Sequence, residues 1–470
     1  MISMKKNLFK SAFAMAIALM TIPCFGQNSK ATVLPIVETS DEATLQGISN
    51  NGKWAVGYAF DNSGETAFSI AASKWDLETG ERIILTEAEE GMSEANCIND
   101  EGTIIGGAYL FQPAFYEDGE WHTLEVPEGY TAGTITGMAI VDGEMIFVGN
   151  VQSSDGNNIA AAKWVNGSYE RANPNSIRRD RRGEAANVNT CFDISEDGNT
   201  ILGSLEFNSP TNALPFVITA DEAFTINTEN ETNKNESYIF FPKISANGKY
   251  ITGWYRHVIY NEGTEFPSTD ILQPFLYSVE NKRLQIFEKE GVQWAGWDVD
   301  NNGVLYANSP ANEHPIRQGY IITNGNAVEL EQMLIEKGVT EEQINAASAP
   351  AYEEYDNKLG TIIAVSRDGK TIIGCAGKTT AYNWVVKLSD ETVNNNPISN
   401  NNLSAFYNNG NIILSGIVDA IEVYDINGAL IINQTIESAF IPANLENGMY
   451  VVKMYNNKTN SICTSKIIVK

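Results

Sequence analysis

The chain has 470 residues, with 59 acidic against 31 basic side chains and a formal net charge of −28. Such an acid excess argues against nucleic acid and anionic lipid surfaces as partners, because both need cationic neutralisation. It fits solubility outside a cell, or a weak hold on divalent cations, and the length suits two or three domains or one large all-β domain with an appendage.

Residues 1–26 read as a secretory signal rather than as part of the fold. Lys5, Lys6 and Lys10 precede the apolar run SAFAMAIALMTIP, which is too short to span a bilayer and leaves through CFG, so cleavage is expected between Gly26 and Gln27. Lipidation at Cys24 is the alternative, and Pro23 sits badly before such a cysteine. No later stretch is long and apolar enough to form a transmembrane segment. Cys97, Cys191, Cys375 and Cys463 lie far apart with no CxxC spacing. They are expected as small buried hydrophobes, with no zinc site, no other metal and no disulfide scaffold.

From Ile48 onward one motif recurs: ISNNGKWAVG, INDEGTIIGG from Ile98, ISEDGNTILG from Ile194, ISANGKYITG from Ile244 and VSRDGKTIIG from Val365, with weaker copies AIVDGEMIFVG and VDNNGVLYAN. The seven turn glycines at positions 52, 102, 143, 198, 248, 303 and 369 lie between short alternating apolar runs. Asn-Gly or Asp-Gly in that setting is a hairpin signal, since glycine supplies the positive φ of a tight turn. A second glycine follows at 57, 107, 149, 203, 253 and 374, with Asn308 standing in once, and is explained by close backbone approach or a bulge on the second strand.

Each motif is followed by an aromatic strand, a polar turn and another strand, as in ASKWDLETGERIIL, PAFYEDGEWHTLEV and PFLYSVENKRLQIF. Four short strands recurring about every 50 residues are the signature of a β-propeller blade. The seventh unit stops after TAYNWVVKL, while ATVLPIVET at 31–39 has no unit of its own. The N-terminal run is therefore expected to supply the missing outer strand, where Pro35 can spare an N–H. Between the last two units AVELEQMLIEKGVTEEQINAASAP has helical periodicity and predicts one or two short helices.

Candidate sites are few. GKTIIGCAGKT lacks the glycine that a phosphate loop needs, having Ile372 there, and DVDNNG begins like a calcium loop but reaches Ser309 at its twelfth position, so both read as ordinary hairpins. Arg178, Arg179, Arg181 and Arg182 form the one basic cluster and could hold a carboxylated or sulfated ligand, or simply pair with nearby acids. Trp254, Tyr255, Arg256 and His257 fall where a strand is expected to enter a loop, an aromatic and cationic group suited to sugar stacking or peptide capture, or to plain strand packing. Trp294 and Trp297 read as core. The histidines His122, His257 and His314 lie in different units, no GxSxG or HExxH is present, and no pair of acids stands out, so no catalytic residue and no cofactor are assigned.

The ISxDGxxIxG … AFxW pattern over residues 46–388 resembles the HAF-type extracellular repeat proteins, which implies a propeller and leaves activity open. The last fifty residues resemble the C-terminal sorting domain (type A) of cargo of the type IX secretion system, through Val423, Tyr424 and Gly428, then Leu445, Gly448, Tyr450, Val452 and Lys453, then Lys466 to Lys470. Even without the family, IEVYDI and MYVVKMY alternate as strands of a compact β unit. The resemblance implies that the type IX machinery is a partner, with an outer-membrane-surface or extracellular address. The expected organisation is all-β: a signal peptide at 1–26, a seven-bladed β-propeller at 31–390, a linker at 391–402, and an Ig-like β-sandwich at 403–470.

On this reading the protein is a secreted monomer that binds an extracellular glycan or protein. The alternative is a glycan-acting hydrolase or lyase. Two convergent carboxylates of raised pKa beside exposed aromatics would favour the enzyme, and flat, variable loops would favour binding.

Overall fold

The recurring motif folds as a closed polar turn between two strands. In the fourth copy the Ser195 hydroxyl donates to Asp197 and accepts from the Thr200 N–H, while Asp197 accepts from the Asn199 N–H. Ser49, Ser245 and Ser366 do the same with Asn51, Asn247 and Asp368. All seven turn glycines have φ between +70° and +83°, where a side chain would be strained. In the sixth copy Asp300 replaces the serine and accepts directly from the Asn302 and Val304 N–H groups at 2.8 and 2.9 Å. DVDNNG is thus a turn, and no cluster of His, Cys, Asp and Glu suited to a metal occurs among the described residues.

The computed structural model describes residues 30–35, 43–61, 69–85, 92–177, 186, 188–207, 209–226, 235–260, 267–289, 292–309, 317–348, 358–376, 382–389, 404–408, 411–415, 418–426, 428–436, 440–443, 445–456 and 461–469. It divides into two compact parts, Met1–Asp390 and Glu391–Lys470. Among the described residues of the first part, every unit contributes an antiparallel four-stranded sheet. The first runs Ala43–Ile48, Trp54–Asp61, Ser69–Asp76 and Arg82–Ile84. The third and fourth sheets are additionally joined by one parallel pairing, Ile159 with Val188. The seventh has three strands of its own, Thr361–Val365, Thr371–Ala376 and Tyr382–Ser389, and is completed by Lys30–Pro35 from the start of the chain.

One aromatic side chain per third strand packs between sheets: Trp75, Phe115, Trp164, Phe216, Phe275, Tyr320 and Trp384 are all buried. The core is divided accordingly, each apolar cluster being shared by two consecutive units. The cluster of Trp75, Ala364, Ile373 and Val385 joins the seventh unit to the first. Helices Leu330–Glu336 and Glu341–Ala347 bury Leu330, Met333, Leu334 and Ile344 against the sixth and seventh sheets, with a capping box at Thr340 starting the second helix.

The turns are also linked. The Glu196 N–H donates to Ala246, Asn247 to Asn301, Asn301 to Arg367, Arg367 to Asn50, and Asn51 to Asp100, at 2.7 to 2.9 Å. Those bonds run from the fourth unit through the seventh into the first and second. The Arg367 guanidinium reaches further, lying 3.0 Å from Glu196 and 3.6 Å from Asp100, which belong to the fourth and second units. The Glu196 hydrogen bond, followed by the charges of Asp100, Glu196 and Asp368, raises the Arg367 pKa against a smaller opposing effect of burial. Because Arg367 is 43% exposed, Arg367→Ala should lower stability by less than about 1 kcal/mol, and by less still in high salt, in denaturant titrations.

Every first strand carries a bulge just before its turn. Register shifts fall at Leu45/Gly47, Ala95/Cys97, Ile135/Gly137, Cys191/Asp193, Phe240/Lys243, Gly296/Asp298 and Ile362/Ala364. The second glycines answer to this. A Cβ on Gly57, Gly107, Gly149, Gly203 or Gly374 would overlap a carbonyl oxygen of the first strand, that of Thr44, Glu94, Thr134, Thr190 or Thr361. The bulge therefore lies on the first strand, not the second as the sequence reading allowed, and the glycine makes room for it. Asn308, standing in for that glycine, is buried and exchanges two 2.9 Å hydrogen bonds with the Ile362 backbone of the next unit. Gly107→Ala should cost about 2–3 kcal/mol, read as a lower denaturant midpoint, since backbone rather than a flexible side chain must give way.

In the second part, strands form sheets of three and four, ordered by pairing of Ser404–Asn408 with Asn411–Ser415 and of Ala420–Asp425 between Leu430–Thr435 and Gly448–Asn456. Val423 and Val452 are buried in its core with Ile421, Met454 and Ile467. Tyr450 and Leu445 pack against that core, and Gly428 has φ +81° in the turn after Asp425. Tyr424 and Lys453 lie on the other face, where Tyr424 and Tyr455 donate to Glu422, and Lys466 is exposed. Lys470, Gly26 and Gln27 lie outside the described residues.

Candidate functional site

The residue that follows the bulge is Gly47, Cys97, Gly137, Asp193, Lys243, Asp298 and Ala364 in successive units. Three of the seven positions carry charge, in the fourth, fifth and sixth units. Asp193 accepts from the Ile194 N–H at 2.8 Å, and Asp298 accepts from Val299 and, in the next unit, from Val365, both at 2.8 Å. These bonds orient both carboxylates.

All three side chains keep a little solvent contact, yet protein crowds Asp193 and Asp298 closely enough to withdraw most of their hydration. Desolvation lifts the Asp193 pKa to about 6, with the Lys243 charge and the Ile194 N–H acting the other way. Desolvation likewise lifts Asp298 to about 7, opposed by Lys243 and by the Val365 and Val299 N–H groups, and the negative charge of Asp193 adds to the rise. Lys243 thus interacts with both carboxyls, and the carboxyls with each other. Cys97 joins the group from the second unit: burial and the Asp193 charge push its thiol well above the ordinary range, which removes it as a nucleophile. Cys97 and Cys375 are half-buried rather than sealed in the core as expected, and Cys191 is fully buried.

Aromatic side chains occupy the bulges next to two of these residues. Phe241 sits inside the bulge that precedes Lys243 and Trp297 inside the one that precedes Asp298. Trp254 lies 4.8 Å from Phe241 and 5.4 Å from Trp297, ring centroid to centroid. The Arg317 guanidinium covers the Trp297 ring at 5.5 Å. Phe241 is 58% exposed and holds φ +47°, a strained conformation for a bulky residue. Trp254, Trp297 and Arg317 are half-buried.

The four residues read together in the sequence do not share a face. Residues 254 to 257 lie inside strand Tyr250–Tyr260 rather than at its exit, so their side chains alternate between the two faces of the sheet. Tyr255 is buried and stacks with His257 at 6.4 Å, away from Trp254, while Arg256 lies half-buried on the Trp254 side. Trp294 is core, as read, but Trp297 is not. The cluster Arg178, Arg179, Arg181 and Arg182 falls outside the described residues. Asp193, Lys243 and Asp298 escaped notice, although aligning the repeats on their turns places all three in one column.

A proton donor, a proton acceptor, a cation between them and an aromatic platform can together carry acid–base chemistry on a ligand that stacks on rings. A hollow of about 490 Å3 elsewhere in the repeats is lined by Asn51, Lys53, Trp54, Asp76, Glu78, Asp100 and Glu101. Among the described residues no helix is long and apolar enough to cross a membrane.

No protein-family model matches the sequence, and no characterised protein matches it by sequence. Among solved structures the chain is similar to the oligogalacturonate lyase of Vibrio parahaemolyticus, at 10% identity over 76% of this chain and 94% of that one, with a TM-score of 0.46. It is similar to PorZ, a surface component of the type-IX secretion system of Porphyromonas gingivalis, at 10% identity over 89% of this chain and 58% of that one, TM-score 0.40. The β-propeller domain of the Trilobed protease of Pyrococcus furiosus is similar at 13% identity over 62% of this chain and 84% of that one, TM-score 0.38.

Proposed function

We propose that the chain is an exported glycan-cleaving enzyme built on a closed seven-bladed β-propeller of HAF type, with Asp193 and Asp298 as its acid–base pair. The single observation behind this is that two raised carboxyls both interact with Lys243, while Phe241 and Trp297, the two rings on either side of Trp254, occupy the bulges that precede Lys243 and Asp298. A module that only binds has no use for a carboxyl held protonated near neutral pH, and desolvating it costs stability. Closure rests on the turn bonds that pass from Arg367 to Asn50, on the shared core of the seventh and first units, and on Arg367 meeting acids of two other units. Export rests on the signal-like residues 1–26 and on residues 403–470, which we read as an Ig-like type A sorting domain addressed to the type IX machinery at the cell surface.

Asp298, still protonated near neutral pH, gives its proton to the glycosidic oxygen as the bond to the departing sugar breaks. Asp193, ionised, takes a proton either from the attacking water, giving hydrolysis, or from a ring carbon, giving elimination. Lys243 holds the ionised partner in place. Hydrolysis yields a saturated product and elimination an unsaturated one absorbing in the ultraviolet, so product analysis distinguishes them. The activity test is a panel of polysaccharides incubated with the exported chain and scored for new reducing ends; no cleavage of any member overturns the proposal. Activity should follow a bell in pH, with kcat/KM greatest between about 6 and 7, where one carboxyl is charged and the other is not.

A further inference from the structure

Depth and a cross-brace limit how a glycan can reach the acid–base pair. Asp193, Lys243 and Asp298 each lie two residues before the residue that opens their turn, Ser195, Ser245 or Asp300, so about 7 Å of strand separates them from the turn end of the repeats. In the other direction the first strands of the fourth and fifth units run back to Val188 and Asn235, roughly 17 and 26 Å away. Phe241 and Trp297 lie on that longer side, since each precedes its charged neighbour in the strand. The first strands of consecutive units touch one another throughout, and Thr361–Val365 touches both Ala295–Val299 and Ala43–Ile48. The turn end is crossed by a side chain. Arg367 belongs to the seventh turn and is bonded through its backbone to the adjacent sixth and first turns, at Asn301 and Asn50. Its guanidinium passes over both to lie 3.0 Å from Glu196 in the fourth and 3.6 Å from Asp100 in the second. In a ring of seven units those lie three and two steps away, so the side chain spans the opening that the turns surround. A half-exposed ion pair of this kind adds little to stability, which leaves obstruction as its principal effect.

We infer that the enzyme trims glycans from their ends: a chain enters from the long side, stacks on Phe241 and Trp297, and offers only its terminal sugars to Asp193 and Asp298, because Arg367 bars the turn end. This rests on the glycan-cleavage reading and on the ring closure proposed with it, and the experiment separates them. A chain able to thread past Arg367 would be cut internally, whereas a blind site releases a mono- or disaccharide. The exported chain is assayed on polygalacturonate, alginate, xylan and a β-glucan, each as a long fraction and as one about tenfold shorter, at equal mass and well below saturation. An end-acting enzyme responds to the number of chain ends, so the shorter fraction should be cut about tenfold faster, with mono- or disaccharides as the products from the first turnovers onward. In Arg367→Ala the length preference should fall toward one and longer oligosaccharides should appear. Glu196→Ala, which removes the 3.0 Å contact and leaves the one with Asp100, should have part of that effect. Both replacements fall on partly exposed side chains, and denaturant titration identifies any variant that fails to fold.

Equal rates on the two length fractions, or fragments of all sizes from the wild type, overturn chain-end action and leave the cleavage reading standing. A folded Arg367→Ala that keeps both the length preference and the product size overturns the role given to Arg367. Failure to cleave any polymer overturns both.

Discussion

Asp298→Asn should cut glycan cleavage by 10²–10⁴-fold while making the protein more stable at pH 8, two effects of opposite benefit from one atom change. The stability side follows from linkage. The folded chain keeps the Asp298 proton up to a pKa of about 7, against a model value of 3.8. Between those values the folded state binds more protons than the unfolded one, so stability falls as pH rises through this window, and the full penalty is present above about pH 7. Asparagine removes the penalty and keeps one acceptor for the Val299 and Val365 N–H groups, losing the other. The penalty amounts to roughly 2–4 kcal/mol and the lost acceptor to about 1, so a net gain of roughly 1–3 kcal/mol is expected at pH 8 and none at pH 4. Denaturant titrations at the two pH values measure it. Asp193→Asn should behave alike, with a smaller gain, because its pKa is raised only to about 6. A variant that loses activity and stability together would identify the pair as ordinary core polar groups and remove the catalytic assignment.

The turns were legible in the sequence because their chemistry is local. Serine, asparagine or aspartate and then glycine bond within a few residues of each other, so the motif states its own conformation. The aromatic third strands were legible for the same reason: alternation and size identify a buried face before its partner is known. The bulges were not. A bulge is a mismatch of register between two strands, and nothing within Thr44 or Gly57 alone says which strand carries the extra residue. That ambiguity hid the site as well, since a one-residue slip decides which side chains share a face. With the bulge in place, Asp193, Lys243 and Asp298 fall in register and Trp297 comes to lie against Trp254. In plain alternation the same residues read as the solvent side of ordinary strands. Size and aromaticity single out Trp254 in the sequence, but alternation within the strand sends Tyr255 and His257 to the opposite face.

Removal of residues 31–39 should lower the thermal midpoint by about 10 °C or more, the largest structural effect expected of so short a deletion. Six residues, Lys30–Pro35, pair in full register with Tyr382–Ser389, from Lys30 opposite Ser389 to Pro35 opposite Trp384. Ala31 and Val33 are buried in the same cluster as Trp384, Val386, Ile344 and Ala347, so the strand also carries the contact of the second helix with the seventh sheet. Its loss bares the edge of Tyr382–Ser389, strands the helices, and frees the one pairing that joins the first described residues to the last sheet of the repeats. Point variants separate these contributions. Val33, 2% exposed, becomes an unpaired buried charge in Val33→Asp and should cost about 3–5 kcal/mol, whereas Leu34, 49% exposed, should cost less than about 1 when replaced by alanine. If the seven sheets close into a propeller, disrupting Val33 loosens the core that the sixth and seventh units share, and Val33→Asp should also slow or abolish cleavage by letting Asp298 and Val365 part. A Val33→Asp protein whose midpoint and activity both match the parent would show the N-terminal strand to be an ornament on an open array.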